Sequence, residues 1–556
     1  MAQDHRRLSS CGHATHPLSG ANLATEASWA SNTPFASRPV PRFSRLAWNG
    51  PPYAVGDSDT GACVSYQAAL SLPRLGSTSI SIELDAALAL SRFGLGARDG
   101  SLAAVSPDPR GALRDEVTGR KLGMPTGPEL RSTPELLVDL FAFLRERNLE
   151  RQRKAPAAQT TPQSPNAMQP MPGAQPAPMA MNLPQRVFLA EVNARFNGTT
   201  RDPLIGFPER LTMFWTNHFA VAVSKSPLLR TAAGAFEREA IRPNVFGRFE
   251  NMLLAVETHP AMLAFLDNEQ SIGPDSRAGA RSKRGLNENL AREIMEFHTL
   301  GVDGGYTQVD VTSLARIITG WTIERGQRGV GGALLGEPGT FVFNTNAHEP
   351  GAQTLLGVSY SDNGVEQGRA ALRALARHPS TAKHVAYKLV RHFVADRPPP
   401  ALVARLADTF TRTRGELSAV YLALIESDEA WNPELVKIRS PLEYVVALLR
   451  ASGERPQPQR IAGVLNELGQ PIWNPSGPNG FSDKVDAWAS PEGLATRIDV
   501  ANLIAAAVRG DDDPRRVARS LLGPLLSSHT DEAMARAEDR KQALALAYLS
   551  PEFQRR

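Results

Sequence analysis

Cysteine is nearly missing from this chain. Cys11 and Cys63 are the only two, and both fall in the first 80 residues. Disulfide scaffolding, thiolate catalysis and cysteine metal centres are therefore excluded from everything that follows. Long apolar runs are missing too, and none approaches the roughly 20 residues that a membrane-spanning helix needs. Charge of one sign is scarce: the net charge is +4 over 556 residues despite a pI near 9.1. There is no basic run with interleaved aromatics, so nucleic acid is not an expected partner. The compact signatures of known chemistry are also absent, with no G-x-S-x-G, no H-E-x-x-H and no tight Ser/His/Asp spacing. What remains is a chain whose hydrophobic share, 42%, is ordinary for a globular protein. It is long enough to bury a substantial core.

The composition divides the chain. Residues 1–80 are rich in Ser, Ala, Pro and Gly with little periodicity, and read as a non-globular or mis-annotated extension. Arg6-Arg7 resembles the start of a twin-arginine signal, but no apolar segment follows. A cytoplasmic location is the expectation, with export left open if the start is mis-assigned. Residues 81–150 alternate helix-like segments with loops, and 133–154 is a strongly amphipathic helix with a basic tail. A Pro/Gln/Met-rich stretch at 151–184 reads as a disordered insertion, with irregularly spaced methionines that do not suggest copper ligands. Residues 185–556 then form the main domain. The expected fold is mainly α: a multi-helix globular domain with long loops and at most a small β-hairpin, placed at 341–360 with His348-Glu349 in its turn region.

The stretch Gly285–Trp321, GLNENLAREIMEFHTLGVDGGYTQVDVTSLARIITGW, organises the rest. Stepping about 100° per residue along 286–300 puts Leu286, Leu290, Ile294, Phe297 and Leu300 on one arc. Glu288, Arg292, Glu296 and Thr299 fall opposite, on an expected solvent face where Glu288 and Arg292 form an i,i+4 pair. Glu293 lies at one edge of the apolar arc, Asn287 and His298 at the other. Polar groups at a burial boundary need partners, so these three are site candidates. The glycines of 301–305 allow a left-handed turn, and Thr307 with Asp310 forms a near capping box for a second helix. No strand precedes the glycines, so they are not a phosphate loop, and Asp303 lacks the companions of a calcium loop.

His218 is the other candidate of note. Along FPERLTMFWTNHFAVAV it sits amid Leu211, Phe214, Trp215, Phe219 and Val221, so it is either a core histidine bonded to backbone or a ligand or general base oriented by Asn217. The basic loop 271–284 before the central helix would suit a lid or a plain solvated loop. His384, Lys388 and His392 recur at i, i+4, i+8 on one helix, a spacing that suits a polar or anion-facing stripe better than one metal. The Pro/Gly/Asn-rich loop 469–488 offers Gln470, Trp473, Asn474 and Trp488 as a binding wall.

Taken together, NENLAREIMEFHTLGVDGGYTQVDV…ARIITGW, ALSRFGLGAR (89–98), ERLTMFWTNHFAV (209–221), AHEPGAQTLLG (347–357), RHPSTAKHVAYKLVRHFVAD (377–396), KIRSPLEYVVALLRA (437–451) and LGQPIWNPSGPNGFSDKVDAW (468–488) resemble the bacterial family called domain of unknown function 1800. The resemblance runs from about residue 80 to the C-terminus. It implies no reaction. It does imply genetic company, since members are often encoded beside a family resembling sulfatases and alkaline phosphatases, and many look exported.

Two readings follow. In the first, the chain is an all-helical enzyme, hydrolytic or oxidative, whose site is His218, Glu293, His298 and Arg292, with Asn289 and His348 as further members of the set. Histidine and glutamate from different helices can hold a metal. The di-iron pattern is incomplete, because Met295 stands three residues before His298 where a glutamate is needed. A mononuclear metal ion and a metal-free acid/base pocket both stay open, and the cofactor is unknown. In the second reading, the chain is a non-catalytic accessory or assembly partner of a neighbouring sulfatase/phosphatase-like protein. The first requires His218, Glu293 and His298 to converge.

Overall fold

Proline placed directly after a capping residue sets eight of the described helix starts. Asp108, Ser226, His259, His378, Ser440, Ser490, Asp513 and Ser550 each precede a proline, and each side chain accepts a backbone N–H of the first turn. Proline suits the first helical position because its φ is preset and its missing N–H would be unpaired there. The computed structural model describes residues 78–120, 122–154, 181–201, 204–281, 285–326 and 334–556. Within them the chain is mainly α, with two small antiparallel two-stranded sheets. None of the described helices is long and apolar enough to cross a membrane. The expected non-globular segment to residue 77 and residues 155–180 of the expected insertion lie outside the described residues. Residues 151–154 end the helix Thr133–Lys154, and the next described helix, Leu183–Arg201, begins inside the expected insertion.

The two helices of the central stretch form, but the first is not one regular helix. Asn289–Glu293 is α-helical and Ile294–His298 is a π turn. The wider i→i+5 closure, with Thr299 Oγ1 donating to Ile294 O at 2.6 Å, rotates the following side chains. This moves two residues from their expected faces. Thr299, expected in solvent, is fully buried, and Phe297, expected in the core, is half-buried, while Met295 and His298 turn inward. Thr307 then caps Gln308–Ile317 in a complete capping box with Asp310. Asp310 Oδ1 also accepts Leu356 N at 2.7 Å, which ties this helix to the nearby hairpin. Thr307→Ala should therefore lower stability by about 0.5–2 kcal/mol in urea denaturation.

The hairpin pairs Gln353–Leu355 with Val358–Tyr360, and its turn is Leu356-Gly357, both at positive φ. Such a two-residue turn matches the twist of paired strands. His348 and Glu349 precede this hairpin and are buried, in contrast to the turn position expected for them. Glu349 Oε2 accepts Asp275 N at 2.9 Å, and a Cβ on Gly273 would meet Glu349 Cα at 2.6 Å. The described part of the 271–284 loop is thus packed down on Glu349 instead of forming a free lid. The second sheet, Trp321–Ile323 with Phe341–Phe343, was not expected from sequence.

Trp321 closes the central stretch and is completely buried. Helix Val365–Ala376 reaches it only because residue 368 has no side chain, since a Cβ there would land on the indole. Gly368→Ala forces the ring or the helix to move. We expect a loss of about 1–3 kcal/mol, read as a lower urea midpoint.

Candidate functional site

The π turn leaves the carbonyls of Phe297 and His298 without helical donors, and two histidines from other helices supply them. His384, on helix Pro379–Phe393, donates Nε2–H to Phe297 O at 3.2 Å. His218, at the end of helix Phe207–His218, donates Nε2–H to His298 O at 3.1 Å. The His298 ring in turn lies 2.8 Å, Nδ1 to Oε1, from the carboxylate of Glu257, and neither side chain has any exposed surface. The His218 ring centroid is 6.3 Å from that of His298 and 6.1 Å from that of His384, and the rings of Trp215, Phe219 and Phe249 close around it. Burial pushes the His218 imidazole well below its ordinary range, with Lys388 adding to the effect, and pushes His384 down to about 4. Both are neutral at pH 7. Within the described residues, His218 Nδ1, His298 Nε2 and Glu257 Oε2 have no hydrogen-bond partner. Among the described residues, no three His, Cys, Asp or Glu side chains are grouped so as to hold a metal ion.

The structure therefore brings His218 and His298 together, but the carboxylate paired with His298 is Glu257. Glu293 is half-buried, makes no hydrogen bond to either imidazole, and keeps Oε2 unpaired, with burial raising its pKa. Arg292 lies at the surface, bonded to Glu288 and to Gln308. Asn289 is exposed, and Asn287 bonds Asp267 O. Glu257 stands four residues after Leu253 and eight after Phe249, both fully buried. An acid on that apolar stripe of FENMLLAVE was the available signal.

Asn217 does not orient His218. Its amide clasps the backbone of Phe481, donating to the carbonyl at 2.9 Å and accepting the N–H at 2.7 Å. Gly480 makes room for this clasp, as a Cβ there would collide with Asn217 O. The clasp anchors the 469–488 loop over a small cleft whose cavity volume is about 70 Å³. Trp473 and Trp488 line the cleft, as does Gln470, whose Oε1 accepts Leu442 N at 2.8 Å. Asn474 instead accepts Ser224 N at 2.9 Å. Trp473 has φ 47, an uncommon conformation for a bulky residue. It is held there by its Nε1–H to Glu237 Oε2 at 3.1 Å and by the Arg195 guanidinium 5.4 Å from the ring centre.

The cleft's polar end holds a second imidazole–carboxylate pair. His392 Nδ1 lies 2.8 Å from Asp483 Oδ1, a residue of the same loop. His392 Nε2 accepts Arg210 Nε–H at 3.4 Å and lies 3.8 Å from Glu443 Oε1. Glu443 is itself clamped: Oε1 accepts from Arg210 at 2.7 Å, Oε2 from Arg556 at 3.0 Å, and it completes the capping box of Ser440. Burial would raise the carboxyls of Glu443 and Asp483, but their cationic neighbours win. Arg210, Arg556 and His392 hold Glu443 far below the carboxylate range, while His392, Lys388 and Arg391 hold Asp483 at about 2. Burial lowers the His392 imidazole in spite of Asp483, which leaves it an unprotonated base at neutral pH. Asp483, Glu443, Arg210 and Arg556 were not expected as site residues. Their sequence signals were slight: a Ser-Pro-x-Glu cap at 440–443 and a polar stripe on the His384 helix.

No curated protein and no solved structure matches this chain. A family described as a protein of unknown function, DUF1800, matches residues 88–555, nearly all of the chain. The chain that carries these two imidazole–carboxylate pairs belongs to the DUF1800 family.

Proposed function

We propose that the chain is a hydrolase that activates water with His392 in the cleft beneath the 469–488 loop. The observation that carries this reading is the 2.8 Å His392–Asp483 pair lining that cleft. Asp483 takes the Nδ1–H, which fixes the tautomer and leaves Nε2 as the basic nitrogen; its lone pair accepts Arg210 Nε–H at 3.4 Å, a long bond that water displaces when His392 acts as the base. Among the described residues no serine, threonine or cysteine side chain hydrogen-bonds His392, so the proton it removes comes from water. Trp473, Trp488 and Met213 supply an apolar wall for an acyl or other organic group, while Arg556 and Glu443 mark the polar end. Concave apolar sites with a few convergent polar groups of displaced pKa are where catalysis concentrates.

Hydrolysis of p-nitrophenyl butyrate tests the proposal. We expect turnover above the buffer rate, with Trp488→Ala raising KM more than it lowers kcat. The rate should hold through neutral pH and fall only on acidification below the ordinary imidazole value of 6.5, because His392 titrates lower. A rate equal to buffer, or a profile that still climbs above neutrality, would sink the assignment.

A further inference from the structure

Both ring nitrogens of His348 face acceptors. His348 precedes strand Gln353–Leu355 and Asp362 follows strand Val358–Tyr360, so the two residues stand at the two ends of the hairpin. His348 Nδ1 lies 3.0 Å from Thr319 O and 3.4 Å from Thr319 Oγ1. The carbonyl can only accept, and the hydroxyl gives its hydrogen to Arg316 O at 2.6 Å. Nδ1 therefore carries the ring hydrogen, and in the neutral ring Nε2 holds a lone pair. That nitrogen is buried, in a side chain only 6% exposed, and has no hydrogen-bond partner among the described residues. The Phe343 ring packs edge-on against the imidazole, 5.0 Å between centroids.

Asp362 Oδ1 faces Nε2 at 3.6 Å. Two acceptors turned on each other repel unless positive charge lies between them. A proton held in a charged N–H···O bond draws its partners to about 2.7–2.9 Å. Two ligands of one tetrahedral zinc ion, each about 2.0–2.2 Å from the metal, stand about 3.3–3.6 Å apart. The observed spacing matches a shared ion and is too long for a shared proton. Among the described residues no lysine or arginine pairs with Asp362. Its carboxylate is nonetheless held in place, with Oδ2 accepting Gly351 N at 3.0 Å and Oδ1 accepting Gly364 N at 3.4 Å. Gln367 fastens the same turn, donating from Nε2 to Gly351 O at 3.2 Å and to Tyr360 O at 3.0 Å. The Asp362 side chain is 38% exposed, which gives an ion and its waters a way in.

We propose that His348 Nε2 and Asp362 Oδ1 bind one divalent transition-metal ion of the zinc class, with water completing its coordination. An imidazole ligand favours zinc and its neighbours over calcium and magnesium, which take oxygen. Two protein ligands leave the other positions to water, so the ion exchanges with solvent, unlike zinc in a closed four-ligand structural site. Bound there, it staples the hairpin across its two ends. Neither ligand lines the cleft at His392, so the site is independent of the hydrolase reading.

The full chain is stripped with a chelator, its zinc affinity is measured by calorimetry, and amide hydrogen exchange of residues 353–360 is followed by peptide mass spectrometry. With free zinc at about ten times the dissociation constant, we expect hairpin exchange to slow about tenfold. His348→Gln and Asp362→Asn abolish the slowing. His529→Gln, which removes an exposed histidine elsewhere, leaves it intact. Asp362→Asn keeps an acceptor for Gly351 N–H, so it decides the matter where His348→Gln fails to fold. No zinc binding overturns the proposal. Zinc uptake that leaves hairpin exchange unchanged, or slowing that survives Asp362→Asn, identifies an adventitious ion only and overturns it as well.

Discussion

Under the proposed hydrolase reading, His392→Ala is expected to lower kcat by about 10²–10⁴-fold, the range that a positioned general base supplies, equivalent to roughly 3–5 kcal/mol of transition-state stabilisation. The loss falls on kcat because the ring contributes little of the cleft wall, whereas Trp473 and Trp488 supply the surface that holds an organic group. Asp483→Asn separates orientation from shape. The amide can still fill the space, but it removes the charge that stabilises the imidazolium formed as His392 takes its proton. We expect kcat to fall again, with the acid limb of the pH profile displaced further down, since Asp483 is the group that pulls the imidazole upward against burial. Steady-state kinetics between about pH 5 and about pH 9 measure both effects. An unchanged acid limb in Asp483→Asn would show that the pair does not titrate as a unit.

Glu443→Ala carries the largest expected cost to stability. Glu443 neutralises Arg210 and Arg556, whose side chains are 1% and 3% exposed. Removing the acid leaves two buried guanidinium groups without the carboxylate they share. Breaking a buried pair from one side costs about 3–5 kcal/mol, which urea denaturation at neutral pH would register. Replacing Arg210 and Glu443 together by apolar residues should cost less than Glu443→Ala alone, because the stranded charge goes with its partner. The acid limb of stability follows from the same group. Its folded pKa is depressed below the ordinary 4.5, so the stabilisation is complete above 4.5 and is lost as pH falls through the folded value. Wild type should therefore lose more stability on acidification than Glu443→Ala does. Equal losses would mean that Glu443 is not the linked proton.

Local rules made much of the helical frame legible. Ser-Pro, Asp-Pro and His-Pro steps mark helix starts, and the Thr307–Asp310 box was readable as written because it involves only its own first turn. The inward turn of His218 was legible for a similar reason, since its neighbours on the arc are apolar and the helix is regular. The central helix was less legible past Glu293. The π turn depends on Thr299 reaching back five residues and on two histidines from distant segments accepting the task of capping it. A regular 100° step therefore put Thr299 and Phe297 on the wrong faces. Glu293 was singled out and Glu257 was not, because a periodicity argument compares residues along one helix and cannot weigh a carboxylate arriving from another. Asp483 was harder still. A loop residue has no period, and its position is set by Asn217 clasping Phe481 across 264 residues of chain.

That clasp separates two jobs along the 469–488 loop. Gln470 and Trp473 moor one end and Phe481 the other, and Asp483 follows directly on the second mooring. The span between, residues 475–479, carries none of these attachments. Variation there can reshape the mouth of the cleft while the proton-handling pair stays in register. Libraries randomised over those five positions therefore alter the rim of the cleft without touching the His392–Asp483 contact.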